Sequence, residues 1–97
     1  MTVTISEEAQ GDLESIAYFI GMDNPLRAAS FVEELVAHCH TLVDHPLRYP
    51  LVPDFEERNL RRMPYRGYSV FYQVTGKDVA VIHILNDARD HRTILES

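Results

Sequence analysis

The sequence predicts a single α+β domain with the element order β-α-α-β-β-β, a helical hairpin packed on one face of a mainly antiparallel sheet. Apolar residues first recur at the 3.6-residue spacing of amphipathic helices, in two runs at residues 7–20 and 25–43. From residue 59 onward the apolar period drops to two, that of strands, and a stretch with three prolines, "DHPLRYPLVPDF" (44–55), separates the two regimes. Two helices with one apolar face each need a third layer, which a sheet supplies. A chain of 97 residues builds one core, so one domain spanning 1–97 is expected.

Each element has a local reason. "TVTIS" (2–6) alternates β-branched and polar residues, as a short strand does. Ser6 is placed to cap the first helix, with Glu7 and Glu8 in the first turn of its dipole. Ala9, Leu13, Ile16, Ala17 and Ile20 share one face of that helix, Tyr18 points away, Phe19 lies on the flank, and Gly21 is the expected stop. "DNP" (23–25) restarts the helix, with Asn24 as cap and Pro25 at the first position, where its missing N–H does no harm. The stripe Ala28, Val32, Leu35, Val36, Cys39, Leu42 and Val43 then predicts a second helix through residue 43, with Phe31 at its edge. "NLRRMPY" (59–65) is a strand that Pro64 assigns to a sheet edge. "YSVFYQV" (68–74) puts Tyr68, Val70, Tyr72 and Val74 on one face and Phe71 on the other. "TGKD" turns the chain, and "VAVIHIL" (79–85) is apolar on both faces, the mark of a central strand.

Charge is unevenly distributed. The formal net charge is −6, yet residues 1–57 hold 11 acidic and 2 basic side chains, and residues 58–97 hold 4 acidic and 7 basic, six of them arginine. The single cysteine, Cys39, excludes an intramolecular disulfide and a cysteine-rich zinc site, and it falls in the apolar stripe of the second helix. No apolar stretch approaches the ~18 residues of a membrane span, and the start of the chain lacks the basic and apolar regions of a signal peptide. A cytoplasmic protein with no cofactor, no metal and no membrane partner is the expectation. No zinc-finger or recognition-helix pattern is present, so direct sequence-specific binding to nucleic acid is not expected.

His38 and His40 diverge by roughly 200° on a helix and cannot chelate one ion together. His83 alternates with Val79, Val81 and Leu85 in the last strand and reads as a packed residue. The pairs Glu7–Glu8 and Glu33–Glu34 are adjacent on helices and read as solvated faces. The arginines carry more. Arg58, Arg61, Arg62 and Arg66 fall within nine residues, and Arg89 and Arg92 follow the last strand. Guanidinium groups gathered this way can hold phosphates or a partner's carboxylates in bidentate fashion. The competing explanation is neutralisation of the acidic helices by arginines of the same chain.

The ordered combination "A..DLESIAYFI...NPLRAASFVEELVAHCHTL...P..YP", "LRRMPYRGYSVFYQV" and "VIHILNDARD" resembles the ParE branch of the ParE/RelE superfamily of bacterial type II toxins over nearly the whole chain. The resemblance implies the order β-α-α-β-β-β and places Tyr68, Phe71 and Tyr72 in the sheet framework. It also implies two possible activities. RelE-like members cleave messenger RNA on the ribosome, whereas ParE-like members poison DNA gyrase, and both are neutralised by a cognate antitoxin.

RNA cleavage through the 2′-hydroxyl needs a base, an acid and cations for the developing charge. The set available here is Glu57 as base, Arg62 and Arg66 on the phosphate, and His91 as acid, with no tyrosine after Tyr72 and one lysine, Lys77. An acidic protein is poorly suited to ribosomal RNA, where electrostatics dominates binding. A protein target suits it better, so the ParE-like reading is preferred, with Arg61, Arg62, Arg89, Asp90 and Arg92 as the gyrase-contacting set. A ParD-like antitoxin is the implied partner, with Tyr18, Phe19 and Phe31 as its apolar contacts. A third reading is a non-toxic binding domain that retains the fold.

Overall fold

The computed structural model describes residues 2–96. In chain order the elements are β1 (Val3–Ile5), α1 (Glu7–Gly21), α2 (Pro25–His40), β2 (Leu60–Tyr65), β3 (Tyr68–Thr75), β4 (Asp78–Asn86) and α3 (His91–Glu96), with 3-10 turns at Thr41–Val43 and Glu56–Arg58. The four strands form one sheet in the order β1-β4-β3-β2. Both hairpins are antiparallel, and β1 lies parallel to β4 with Thr4 opposite Ala80. The α+β class and the element order expected from periodicity therefore hold, with α3 as an addition.

The helix ends follow from their caps. The Ser6 hydroxyl accepts from the Ala9 N–H at 3.1 Å and donates to the Ile82 carbonyl at 2.9 Å, so one side chain starts α1 and ties it to the sheet. Asn24 Oδ1 accepts from the Arg27 N–H at 3.0 Å, with Pro25 behind it. At Gly21 the hairpin closes tightly: a Cβ there would stand 3.6 Å from that of Ala28. α2 ends at His40 and tightens into the 3-10 turn, where the expected regular helix ran to residue 43. The Thr41 hydroxyl donates to the His38 carbonyl at 2.6 Å and helps to end it.

The sheet separates two cores. Facing the hairpin, Met63, Val70, Tyr72, Val79, Val81 and Ile84 pack on Ala9, Leu13, Ile16, Phe31, Leu35 and Cys39. On the opposite face Phe55, Leu60, Phe71, Leu85 and Leu95 form a smaller cluster covered by α3. Strand alternation produces this division, since Leu60 and Met63 point to opposite faces of β2. β4, between β1 and β3, is buried on both sides.

Both sheet edges are blunted. Val52 donates to the Leu60 carbonyl at 2.8 Å and Arg62 donates to that of Pro50 at 3.2 Å, so residues 50–52 cover the outer edge of β2. By the same alternation Pro64 turns its missing N–H outward, where no ladder bond is lost. At the other edge β1 is three residues long, and Gln10 Nε2 donates to the Ile5 carbonyl at 2.9 Å.

Asp12 fixes the hairpin to the central strand. Its Oδ2 accepts from the Ile84 N–H at 2.8 Å and lies 2.9 Å from His83 Nδ1. Asp12→Ala leaves the Ile84 N–H without its acceptor under α1, so a loss of about 1–3 kcal/mol is expected, read as a lower urea midpoint at unchanged slope.

Candidate functional site

No group of three or more metal-ligating side chains occurs among the described residues. Nor is any helix long and apolar enough to cross a membrane among them. Cys39 is fully buried, and burial pushes its thiol up to about 12. The thiolate needed for nucleophilic attack is thus scarce at neutral pH. Iodoacetamide at pH 7.5 is expected to leave Cys39 unmodified in the folded protein and to alkylate it in urea, as mass spectrometry would show.

The arginines of the second half of the chain are distributed by strand geometry. Arg61 and Arg62, neighbours in sequence, occupy opposite faces of β2. Arg61 Nη1 donates to the carbonyls of Tyr49, at 2.6 Å, and Leu47, at 3.4 Å, and the Tyr72 hydroxyl beside it donates to Pro46 at 2.9 Å. Arg61 is therefore an anchor of the proline loop on the hairpin side of the sheet. It thus faces away from Arg62, its neighbour on β2.

Arg62 belongs to the other face. Its Nε donates to the Ser69 hydroxyl at 2.6 Å, that hydroxyl donates to Asp87 Oδ1 at 2.5 Å, and Arg62 Nη2 stands 3.5 Å from the same oxygen. Ser69 is completely buried, so a buried hydroxyl bridges the Arg62 guanidinium of β2 and the Asp87 carboxylate just after β4. The Asp87 N–H donates to the Gly67 carbonyl at 2.9 Å, which closes this corner onto the β2–β3 turn. Arg66 and Gly67 both take positive φ there, 47° and 86°, as a two-residue hairpin turn requires.

After β4 the chain turns and forms α3. Asp90 caps it, accepting from the Thr93 hydroxyl at 2.7 Å and the Thr93 N–H at 3.4 Å. These bonds hold its carboxyl below the ordinary 3.8. A carboxyl depressed on folding stabilises above its unfolded value and loses that contribution as pH falls through the folded one, so the cap persists through neutral pH. Leu95 fills the outer cluster, and Arg58 Nη1 donates to its carbonyl at 2.6 Å. Arg92 reaches Asp54 at 2.7 Å and Glu96 at 2.9 Å. Arg89, exposed just before the helix, has no side-chain hydrogen bond or ion pair among the described residues.

The residues of the nuclease set are divided along β2. Glu57 and Arg66 flank opposite ends of β2, which at about 3.3 Å per residue separates them by more than a single phosphate can bridge. Arg66 packs over the Tyr65 ring at 5.7 Å, toward Glu34 of α2. His91 lies near Arg62's face, its ring edge-on to Phe71 at 5.1 Å, and its Nε2 stands 2.8 Å from the Asn86 carbonyl, so that nitrogen donates to backbone.

Neutralisation of the acidic helices by the distal arginines is slight. Arg27 of α2 itself pairs with Glu34, whereas Arg62 and Arg92 meet Asp87, Asp54 and Glu96. Glu7, Glu8, Glu14 and Glu33 have no arginine partner among the described residues. The polarity seen in sequence thus persists in space, with an acidic hairpin on one side of the sheet and an arginine-bearing corner at the end of β4.

The apolar candidates divide as well. Tyr18 and Phe19 are 75% and 68% exposed, and Met22 and Leu26 extend that surface toward the α1–α2 turn. Phe31 is only 6% exposed and packs against the rings of Tyr65 and Tyr68, so it is a core residue and offers no free surface. Sequence reasoning missed Ser69, Asp87 as the partner of Arg62, and α3. The signal for α3 was the spacing of Asp90, Thr93, Ile94 and Leu95, a cap followed by an apolar pair.

A solved structure of the chromosomal ParDE TA system from P. aeruginosa superposes with a TM-score of 0.74 at 20% identity, covering 89% of this chain and 95% of that one. That likeness concerns the fold. Comparison with curated protein sequences yields no significant match. Residues 3–91 match the family described as the ParE toxin of the type II toxin–antitoxin system parDE. Since this match spans nearly the whole domain, from β1 to the start of α3, the chain belongs to the ParE toxins of type II toxin–antitoxin systems.

Proposed function

We propose that this ParE toxin poisons DNA gyrase by binding it, and that a ParD-like antitoxin encoded beside it holds it inactive in the cytoplasm. The observation that carries this reading is the corner at the end of β4. Arg62 is buttressed by Ser69 and Asp87, Arg92 is held among carboxylates, and Arg89 is left open, all on an ordered framework. Arginine presented this way suits a protein interface, where it is enriched among the residues that dominate affinity. The separation of Glu57 from Arg66 at opposite ends of β2 supports binding over RNA cleavage, because one phosphate cannot reach both.

Induction of the gene in bacteria, with and without its neighbour, tests the reading. Growth arrest with blocked replication and intact messenger RNA, relieved by the neighbouring gene, is expected. Arrest with messenger RNA cut on ribosomes would replace it with the RelE-like activity. Uninhibited growth with abundant folded protein would leave a non-toxic binding domain.

A further inference from the structure

The Arg62 guanidinium is held along one edge and open at its end. Nε donates to Ser69 Oγ at 2.6 Å, and Nη2 on the same edge stands 3.5 Å from Asp87 Oδ1, beyond the range of about 2.7–3.2 Å for a good hydrogen bond. Nη1 has no hydrogen-bond partner among the described residues and is not a buried atom, so it faces solvent. Ser69 has one hydroxyl proton, which it donates to Asp87 Oδ1 at 2.5 Å. Lying between Pro64 of β2 and Leu85 of β4, and completely buried, Ser69 is out of reach of any partner.

We infer that Ser69 is a positioning residue for target recognition: its hydroxyl stands between Arg62 and Asp87, and so presents the Nη1–Nη2 end of Arg62 to a carboxylate of the target. The inference rests on the gyrase-binding reading above. The hydroxyl acts as a spacer. It occupies Nε and keeps Asp87 behind the guanidinium, close enough to orient it and too far to pair with it fully. Without the hydroxyl nothing separates the two charges, and both side chains, 43% and 38% exposed, have room to move. Arg62 then closes onto Asp87 as a bidentate pair and withdraws the end that a partner needs. Lysine cannot replace it, because one ammonium cannot bond Ser69 and still offer a second planar face. A carboxylate fits that end better than a nucleic-acid phosphate, since the net charge of −6 opposes approach to a polyanion.

Gyrase supercoiling at graded toxin concentrations tests the inference. Ser69→Ala and Arg62→Lys should each raise the half-inhibitory concentration at least about tenfold, or ~1.4 kcal/mol, while thermal melts stay cooperative. Ser69→Ala added to Arg62→Ala should weaken inhibition no further than Arg62→Ala alone, because the serine acts through Arg62. A serine needed for folding alone would weaken both backgrounds equally. By NMR the Arg62 Nε–H should exchange slowly with solvent in the wild type and fast in Ser69→Ala. Wild-type potency in folded Ser69→Ala or Arg62→Lys, or additive losses in the double variant, would overturn the inference while leaving the gyrase reading intact. Retardation of plasmid DNA by the toxin alone, lost in Arg62→Lys, would overturn it by putting a phosphate in the carboxylate's place. No inhibition by the folded wild type would overturn both.

Discussion

Arg89→Glu combined with Arg92→Gln is expected to abolish growth arrest by the induced toxin while leaving the fold intact. Arg89 has no internal role to lose among the described residues. Arg92 gives up contacts to Asp54 and Glu96 that are well exposed, and exposed pairs contribute about 0–1 kcal/mol. Glutamine keeps the helix propensity that α3 needs at this position. At an interface the balance differs, since a central arginine is worth about 2 kcal/mol or more. Two such losses lower affinity by roughly a thousandfold. Growth curves, with thermal melts as the folding control, check this. Full toxicity in a folded double variant would remove the corner from the target surface. Arg61 is deliberately left alone, because Arg61→Ala would loosen the proline loop that it holds through Tyr49 and so confuse folding with recognition.

Leu95→Ala should be the most damaging single change within α3. Leu95 is 2% exposed and is the residue of α3 most deeply set among Phe55, Leu60, Phe71 and Leu85. Deleting a buried leucine costs about 2–5 kcal/mol, and six helical residues cannot hold their conformation in water without docking. α3 should therefore detach before the domain unfolds, carrying Arg92 out of position and uncovering the outer core. Fast amide exchange confined to residues 91–96, together with reduced toxicity, is the expected pattern. Slow exchange there, equal to wild type, would show that Arg58 and the Asp90 cap suffice without Leu95.

What the sequence made legible follows from the length of its periodic segments. α1 and α2 each span about four turns of one-sided apolar spacing, and β4 is apolar on both faces, so propensity and packing agree there. Pro64 placed β2 at an edge for a reason that holds in space. α3 escaped because six residues barely complete a periodic pattern, and the charges of "NDARDHR" mask the two apolar residues that dock it. The separation of Arg61 from Arg62 was missed by treating adjacent charges as one cluster, although in a strand adjacency means opposite faces. Phe31 sat at the margin of its helical stripe, and only the rings of Tyr65 and Tyr68, more than thirty residues away, decide that it is core. The tie between Asp12 and His83 joins residues 71 positions apart and has no local signature.

For the corner at the end of β4, the physical picture is a cation fixed from behind and a cation left open. Arg62 cannot swing freely because Ser69 and Asp87 orient it, which lowers the entropy lost when a partner carboxylate arrives. Arg89, on the exit from β4, is exposed and has no side-chain partner among the described residues, so its guanidinium is available to a partner carboxylate.

Supercoiling of relaxed plasmid by purified gyrase, with and without this protein, tests the central claim most directly. Inhibition with trapped cleaved DNA, reversed by the antitoxin and absent with the Arg89→Glu, Arg92→Gln variant, is the predicted result. Undiminished supercoiling in the presence of folded wild-type protein, on gyrase from its own source, would contradict it.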